Sequence, residues 1–186
     1  LASSRLLPIA RKNFVWYLKV SPGPHNKLES IPLLSLLRDL LHVGRDARET
    51  RLLISAGKVL VDGKLVRNAT YPVGLMDVVA IPSIKSFYRI VFVNEKLKPI
   101  KISEKDATWK YARLENKKFI SKDLMQLSFH DGKCLLVKKE DAAKLKPGDS
   151  VKLALPPAKL SVQSSIKMEK DALCYVFKGK HSGLLA

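Results

Sequence analysis

The chain has 186 residues, and its 34 Lys and Arg against 17 Asp and Glu give a formal net charge of +17 at pH 7. A hydrophobic fraction of 46% is ordinary for a globular protein and excludes a disordered basic tail. A folded chain this basic predicts a polyanionic partner, with nucleic acid as the first candidate and an anionic membrane surface as the second. No apolar run reaches the roughly 18–20 residues that span a bilayer, so no transmembrane helix is expected.

Residues 1–29 are predicted to be an N-terminal extension. The sequence starts at Leu rather than Met, so further residues are expected before it. Trp16 and Tyr17 either stack on an RNA base or pack on the first domain, and packing is the favoured interpretation. Pro22-Gly23-Pro24 then excludes regular structure. His25 after it could contact a phosphate, although a surface loop histidine is the commoner explanation.

Two short helices are predicted next. Leucines recur at helical spacing over residues 30–41, where Ser30 is a plausible N-cap. The second helix is predicted over residues 46–55. Asp46 can cap it, and Glu49, three residues later, completes a capping-box pattern.

A β-hairpin is predicted after the helices. The apolar segments 58–61 and 64–66 flank Asp62-Gly63, a strong signal for a two-residue turn. A further apolar strand is predicted over 75–81. Together these elements predict a small helix–helix–hairpin domain over residues 30–82.

The pattern becomes β from residue 87 onward. Several short strands separated by turns at His130-Asp131-Gly132 and Lys146-Pro147-Gly148-Asp149 predict a small barrel over residues 83–158. Residues 159–186 resemble the start of a third β-unit that is incomplete at the end of the sequence.

The sequence offers no pattern for a metal or catalytic site. Cys134 and Cys174 are the only cysteines, and they lack the CxxC spacing of a zinc site. One disulfide between them is an alternative, and two buried thiols in a reducing cytosol are the favoured interpretation. The four histidines are isolated, and the Gly179 region lacks a nucleotide-binding loop. No catalytic residue, cofactor or metal is therefore expected.

The strongest functional signal is a set of arginines on the second helix. Arg45, Arg48 and Arg51 recur at intervals of three and fall on one face, where guanidinium groups can contact phosphates. The alternative is a solvated face with pairs to Asp46 or Glu49. RNA contact is favoured because three arginines exceed what Glu49 can neutralise. Further candidates for RNA contact are Arg38, Lys58, Lys64 and Arg67, and for the last three ordinary solubilising charge is an equally good explanation.

The predicted domain over 30–82 is similar to the S4 RNA-binding domain, which shows a leucine-rich helix, an Arg-rich helix and a hairpin of the kind written here Gly57-Lys58-Val59-Leu60-Val61-Asp62-Gly63. Ala47 stands where that family commonly has Arg. The wider set of motifs resembles the S4e family of archaeal and eukaryotic small-subunit ribosomal proteins, and its archaeal members more closely. The motifs that carry this resemblance are Ser21-Pro22-Gly23-Pro24-His25, Glu29-Ser30-Ile31-Pro32-Leu33, Arg38-Asp39, Tyr71-Pro72-Val73-Gly74-Leu75-Met76-Asp77-Val78, His130-Asp131-Gly132 and Lys146-Pro147-Gly148-Asp149.

The resemblance implies an α+β, multi-domain fold in which the S4 domain is followed by an SH3-like β-barrel domain (83–158) and a partial KOW-type β-barrel (159–186). Lys178-Gly179-Lys180 and Gly183 resemble the opening of a KOW motif. It also implies a structural role in the small ribosomal subunit, with ribosomal RNA and neighbouring ribosomal proteins as partners, in the cytoplasm. No membrane, small-molecule substrate or enzymatic activity is implied. Two alternatives stay open, namely an RNA-modifying enzyme anchored by an S4 domain and a transcription or translation factor with a KOW module.

Overall fold

The chain folds into two units, each with its own hydrophobic core. A computed structural model describes residues 7–9, 16–156, 160–179 and 181–186. Unit 1 consists of Leu1–Ala107 together with Cys174–Ala186, and unit 2 is Thr108–Leu173. The predicted extension over 1–29 therefore lies partly outside the described residues, as does Lys180 of the KOW-like segment.

Unit 1 begins with a short strand that leads directly into a helix. Strand β1 (Ile31–Pro32) is followed by helix α1 (Leu33–Ser35), which continues as a π-helical turn over Leu36–Leu40. The helix therefore begins later than predicted, because Pro32 is extended and pairs with Pro72 across the sheet. Ser30 is not its N-cap, since its hydroxyl donates to the carbonyl oxygen of Asn26 at 2.8 Å.

The leucines of this helix form the centre of the unit 1 core. Leu33, Leu34, Leu36 and Leu37 are all buried and pack with Ile54 of helix α2 (Ala47–Ser55). Full burial of each such side chain contributes about 1.5–3 kcal/mol, so this cluster accounts for much of the stability of unit 1. The predicted leucine periodicity therefore marks a buried face.

An antiparallel sheet of five strands packs beside these helices. It contains β2 (Leu60–Val61), β3 (Lys64–Leu65), β5 (Val78–Ile81), β6 (Ser86–Val93) and β7 (Lys96–Ile102) in the order β3-β2-β5-β6-β7, while β4 (Pro72–Val73) pairs with β1. Asp62 and Gly63 have positive φ angles of 50° and 73°, so the predicted hairpin turn is confirmed. The strand predicted over 75–81 starts only at Val78, because Met76 adopts a left-handed turn conformation with φ 64°.

Unit 2 is a second five-stranded antiparallel sheet. It is formed by β8 (Trp109–Phe119), β9 (Leu124–Phe129), β10 (Cys134–Lys138), β11 (Ser150–Ala154) and β12 (Val162–Ile166), in the order β10-β9-β8-β11-β12. A short helix α3 (Lys139–Ala143), which sequence reasoning did not predict, follows β10 and buries Ala142 in the core. A register shift between Leu114 and Asn116 bends the long strand β8.

Residues 160–186 do not form a separate sheet within the described residues. Strand β12 pairs with β11 in unit 2, whereas the last residues return to unit 1. There Tyr175 pairs with Leu185, and the Tyr175 hydroxyl donates to the carbonyl oxygen of Phe92 at 2.6 Å. The α+β, multi-domain fold class is confirmed. The division of the chain at residues 29, 82 and 158 stays a prediction. Strands β5, β6 and β7 form one sheet that continues across position 82.

Candidate nucleic-acid interface

Helix α2 separates a buried side from a basic exposed side. Thr50 and Ile54 are buried, and the Thr50 hydroxyl donates to the carbonyl oxygen of Asp46 at 2.9 Å. Gly44 lies against Thr50, where a Cβ would clash with its hydroxyl oxygen. Arg48 and Arg51 are exposed. The packing of Thr50 and Ile54 therefore fixes the direction in which these two arginines project.

The acidic residues at the start of α2 do not neutralise its arginines. Glu49 accepts a hydrogen bond from the backbone N–H of Arg45 at 2.9 Å, and because Arg45 precedes the N-cap residue Asp46, this is not the reciprocal bond of the predicted capping box. Asp46 occupies the N-cap position but makes no side-chain capping bond. Within the described parts of the chain, no carboxylate pairs with the guanidinium groups of Arg45, Arg48 or Arg51. The alternative of intrahelical ion pairs is therefore not observed.

The hairpin is held against the C-terminal end of α2. Gly57 has a φ of 72°, which ends the helix, and a Cβ there would lie 3.1 Å from Leu65 Cδ1. Lys58, Lys64 and Arg67 are exposed. Their part in an RNA-binding surface that includes Arg48 stays a prediction.

Arg38 differs from the other predicted contacts because it is already paired. Its Nε and Nη2 donate to the two carboxylate oxygens of Asp39 at 2.5 and 3.0 Å, and its side chain is only 23% exposed. The bond to Asp39 raises the pKa of Arg38. The structure therefore gives Arg38 a local partner, which makes it a weaker candidate for phosphate contact than Arg48 or Arg51.

The side chain of His25 is only 6% exposed, so His25 is not a surface loop histidine. Its ring Nε2 lies 2.8 Å from Asp77 Oδ2, and the same oxygen accepts the backbone N–H of Gly74 at 3.0 Å. The imidazole lies directly on Gly74, where any Cβ would clash. Upstream, the backbone N–H of Ser21 donates to the carbonyl oxygen of Thr70 at 2.9 Å. The two motifs 21–25 and 70–77 therefore form one interlocked structure.

Tyr17 and Trp16 also have different environments. Tyr17 is half-buried, and burial raises the pKa of its hydroxyl, whereas Trp16 is 89% exposed. The favoured interpretation that both pack on the first domain is therefore right for Tyr17 and wrong for Trp16.

Unit 2 contains a buried ion pair that sequence reasoning missed. The ammonium of Lys110, a fully buried side chain in β8, lies 2.6 Å from Asp131 Oδ2, and the ammonium of Lys133 lies 3.1 Å from the same oxygen. Burial by itself would raise the pKa of Asp131, but the two lysines outweigh it and lower the pKa to about 2. The sequence signal for this pair was the position of Lys110, which shares the alternating pattern of the apolar residues of β8 that face the core.

The Lys146–Asp149 motif is explained by a second buried carboxylate. Asp149 accepts the backbone N–H groups of Lys146 at 2.7 Å and of Met168 at 3.0 Å. Burial opposes these bonds, which nevertheless lower the pKa of Asp149. The Asp149 carboxylate therefore stabilises the turn formed by residues 146–149.

Other kinds of site have little support in the described structure. No described group of three or more His, Cys, Asp and Glu is placed to hold a metal ion. No described helix is long and apolar enough to cross a membrane. The two cysteines are free thiols, and Cys134 is exposed, so the interpretation that both are buried is wrong.

Comparison with known proteins identifies the family. The profile described as "Ribosomal family S4e" matches residues 84–160, and that of the "S4 domain" matches residues 44–79. The small ribosomal subunit protein eS4 of Caldivirga maquilingensis is 39% identical over 178 residues, which cover 95% of this chain and 74% of that protein. The eS4 protein of Archaeoglobus fulgidus is 39% identical over 183 residues, covering 98% and 74%.

A solved structure gives the same answer. The crystal structure of the 30S ribosomal protein S4e from Thermoplasma acidophilum matches with a TM-score of 0.70 and 31% identity, covering 84% of this chain and 79% of that one. The predicted resemblance is thus confirmed by two family profiles, by relatives across most of the chain and by a shared fold. The chain belongs to the S4e family of ribosomal proteins.

Proposed function

We propose that the chain is a structural constituent of the small ribosomal subunit, where it binds ribosomal RNA and supports subunit assembly and translation. The observation that carries this proposal is the exposed side of α2, on which Arg48 and Arg51 project without carboxylate partners among the described residues. The proposal places the protein in the ribosome, and hence in the cytoplasm. Its partners are ribosomal RNA and neighbouring small-subunit proteins.

The chemistry of this contact follows from the guanidinium group. Arg48 and Arg51 can each offer two parallel N–H donors to a phosphate, which a lysine ammonium cannot do. Arg45, just before the helix, and the exposed Lys58, Lys64 and Arg67 extend the same charge toward the hairpin. RNA helices present phosphate rows and a shallow minor groove, so the contact reads shape more than sequence.

The experiment is a titration of rRNA binding against salt. Replacing Arg48 and Arg51 together by Ala should weaken binding and reduce the slope of log K against log salt by about one for each lost phosphate contact. A matched control removes two lysines that already face acidic partners, Lys144 near Asp141 and Lys167 near Glu169, at 3.9 and 4.0 Å. An arginine variant whose slope equals that of the parent chain would refute the proposed interface.

The whole proposal has a separate test. The chain should remain in small subunits after a wash with high salt, because a structural constituent is held by many contacts at once. Loss of the chain in that wash, or turnover of a small substrate by the purified protein, would favour the alternatives of a loosely bound factor or an RNA-modifying enzyme.

A further inference from the structure

One face of unit 2 exposes three aliphatic side chains side by side. Ile120, Leu124 and Leu136 are 55%, 40% and 57% exposed. The pairing register places Leu136 of β10 beside Gln126 of β9, and the backbone N–H of Ile120 donates to the carbonyl oxygen of Leu124 at 3.2 Å. These residues all point away from the unit 2 core, which lies under the alternate positions. We call this surface the β9–β10 face.

The rim of the β9–β10 face is basic. Lys138 pairs with Leu124 in the register of β9 and β10, and Lys118 pairs with Gln126 on the other side. Lys122 is exposed in the connection between β8 and β9, where Asp123 is its one acidic neighbour. The face therefore combines an apolar centre with an excess of positive charge at its edge.

The outer edge of β10 adjoins this face. Within the described residues, β10 pairs only with β9 and ends the sheet. Its first four residues, Cys134-Leu135-Leu136-Val137, contain neither charge nor proline. Proteins usually protect a free edge strand with charge, proline or a covering element. Within β10 only Lys138, at the last position, supplies such a charge, and the exposed aliphatic cluster beside its first four residues is typical of a surface that is covered in an assembly.

The chemistry of the face selects a protein partner over RNA. Aliphatic side chains offer RNA neither a stacking platform nor a hydrogen bond, and the face carries no aromatic residue or arginine. An apolar centre with a charged rim matches the anatomy of a protein–protein interface. The lysine rim further requires acidic groups around the partner's apolar contact.

We propose that the β9–β10 face docks a neighbouring protein of the small subunit through a segment in which aliphatic side chains are flanked by Asp or Glu. This inference rests on the proposed function, since it needs the chain to be a constituent of the subunit. Leu136 is its central contact, because it lies on the edge strand and next to Gln126 in the middle of the face.

The native thiol of Cys134 reports on this face directly. Cys134 is exposed and pairs with Ser128 in the register of β9 and β10, with its sulfur 3.6 Å from the Ser128 hydroxyl. It lies two residues before Leu136 and points to the same side of the strand. A Cys174→Ser background leaves Cys134 as the one thiol available to a maleimide probe.

The experiment compares the rate of maleimide labelling in three states. In the free chain and in the chain bound to protein-free small-subunit rRNA, Cys134 should label at the same rate. In complete reconstituted subunits the rate should fall by about tenfold or more, as expected for a residue at a packed interface. Fast labelling in complete subunits, or equal protection by rRNA alone, would overturn the proposal.

Two variants separate this inference from the proposed function. Leu136→Glu should compete for incorporation into subunits about tenfold less well than the parent chain, while its rRNA affinity and salt slope stay unchanged. Lys138→Glu should reduce incorporation in the same direction by reversing the rim charge. The matched control is Leu173→Glu, an equally apolar position of unit 2 that is 76% exposed and lies outside the face.

These measurements distinguish the docking proposal from the proposed rRNA-binding function. Equal incorporation of Leu136→Glu and the parent would overturn the docking proposal and leave rRNA binding intact. A parent chain that binds no small-subunit rRNA would instead overturn the proposed function. Circular dichroism of the free variants verifies that these exposed substitutions preserve the fold.

Discussion

Breaking the buried ion pair of unit 2 is expected to destabilise that unit by about 3 kcal/mol. Lys110→Met keeps most of the side-chain volume but removes the cation that lies 2.6 Å from Asp131. Removing one partner of a buried pair costs about 3–5 kcal/mol, because the other charge stays buried without compensation. Lys133 remains 3.1 Å from Asp131, and this places the expected cost at the lower end.

The same variant should also change the response to acid. In the parent, the pKa of Asp131 falls from 3.8 to about 2 on folding, since the two lysines outweigh the effect of burial. A lowered folded-state pKa stabilises the protein above the unfolded value, so roughly 2 kcal/mol is present above about pH 4 and is lost as the pH falls through about 2. Lys110→Met raises the pKa of Asp131, and acid unfolding should therefore begin at a higher pH.

Trp109 in unit 2 provides the assay. In a Trp16→Phe background it is the one tryptophan of the chain, and its fluorescence during urea unfolding reports on unit 2. Lys144→Met is the control, since that lysine is 78% exposed at 3.9 Å from Asp141 and surface pairs contribute little. If Lys110→Met unfolded at the urea concentration of the parent, the energetic role assigned to the pair would be wrong.

Two further predictions concern unit 1. Gly74→Ala should destabilise it by about 2 kcal/mol in thermal unfolding, because the added Cβ displaces the His25 ring, and the cost should largely disappear in a His25→Ala background. A full cost in both backgrounds would contradict the clash. Tyr175→Phe should cost about 1–3 kcal/mol, because its hydroxyl bonds both the N–H and the C=O of Phe92, at 2.8 and 2.6 Å. Hydrogen exchange at the Gly183 amide, which bonds the Val176 carbonyl at 2.7 Å, should accelerate, and unchanged protection would show that the tyrosine does not hold this segment.

Locally encoded features were predicted well from the sequence. The Asp62-Gly63 turn needs only two residues that tolerate positive φ, and α2 needs only its own periodicity. The family resemblance was likewise carried by contiguous motifs. Because these features depend on neighbours in sequence, the sequence alone was sufficient to predict them.

Features that depend on distant partners were missed. Ser30 satisfies every local rule for an N-cap, yet the pairing of β1 with β4 moves the start of the helix to Leu33. The His25–Asp77 contact joins residues 52 positions apart, and Lys110 is stable in a core only because the fold brings Asp131 to it. The pairing of Arg38 with Asp39 was missed although the two residues are adjacent in sequence, because the side-chain conformations that bring them together are visible only in the structure.

The return of Cys174–Ala186 to unit 1 has a consequence for the order of events during synthesis. Helix α2 and the hairpin emerge early, but the segment whose tyrosine bonds Phe92 emerges only after the whole of unit 2 has been made. At a synthesis rate of roughly 5–20 residues per second, several seconds pass before the segment Cys174–Ala186 can complete unit 1. Throughout that interval the residues of helix α2 and of the hairpin are already synthesised, so the part of unit 1 that carries the exposed arginines precedes the last contacts of the same unit by the whole length of unit 2.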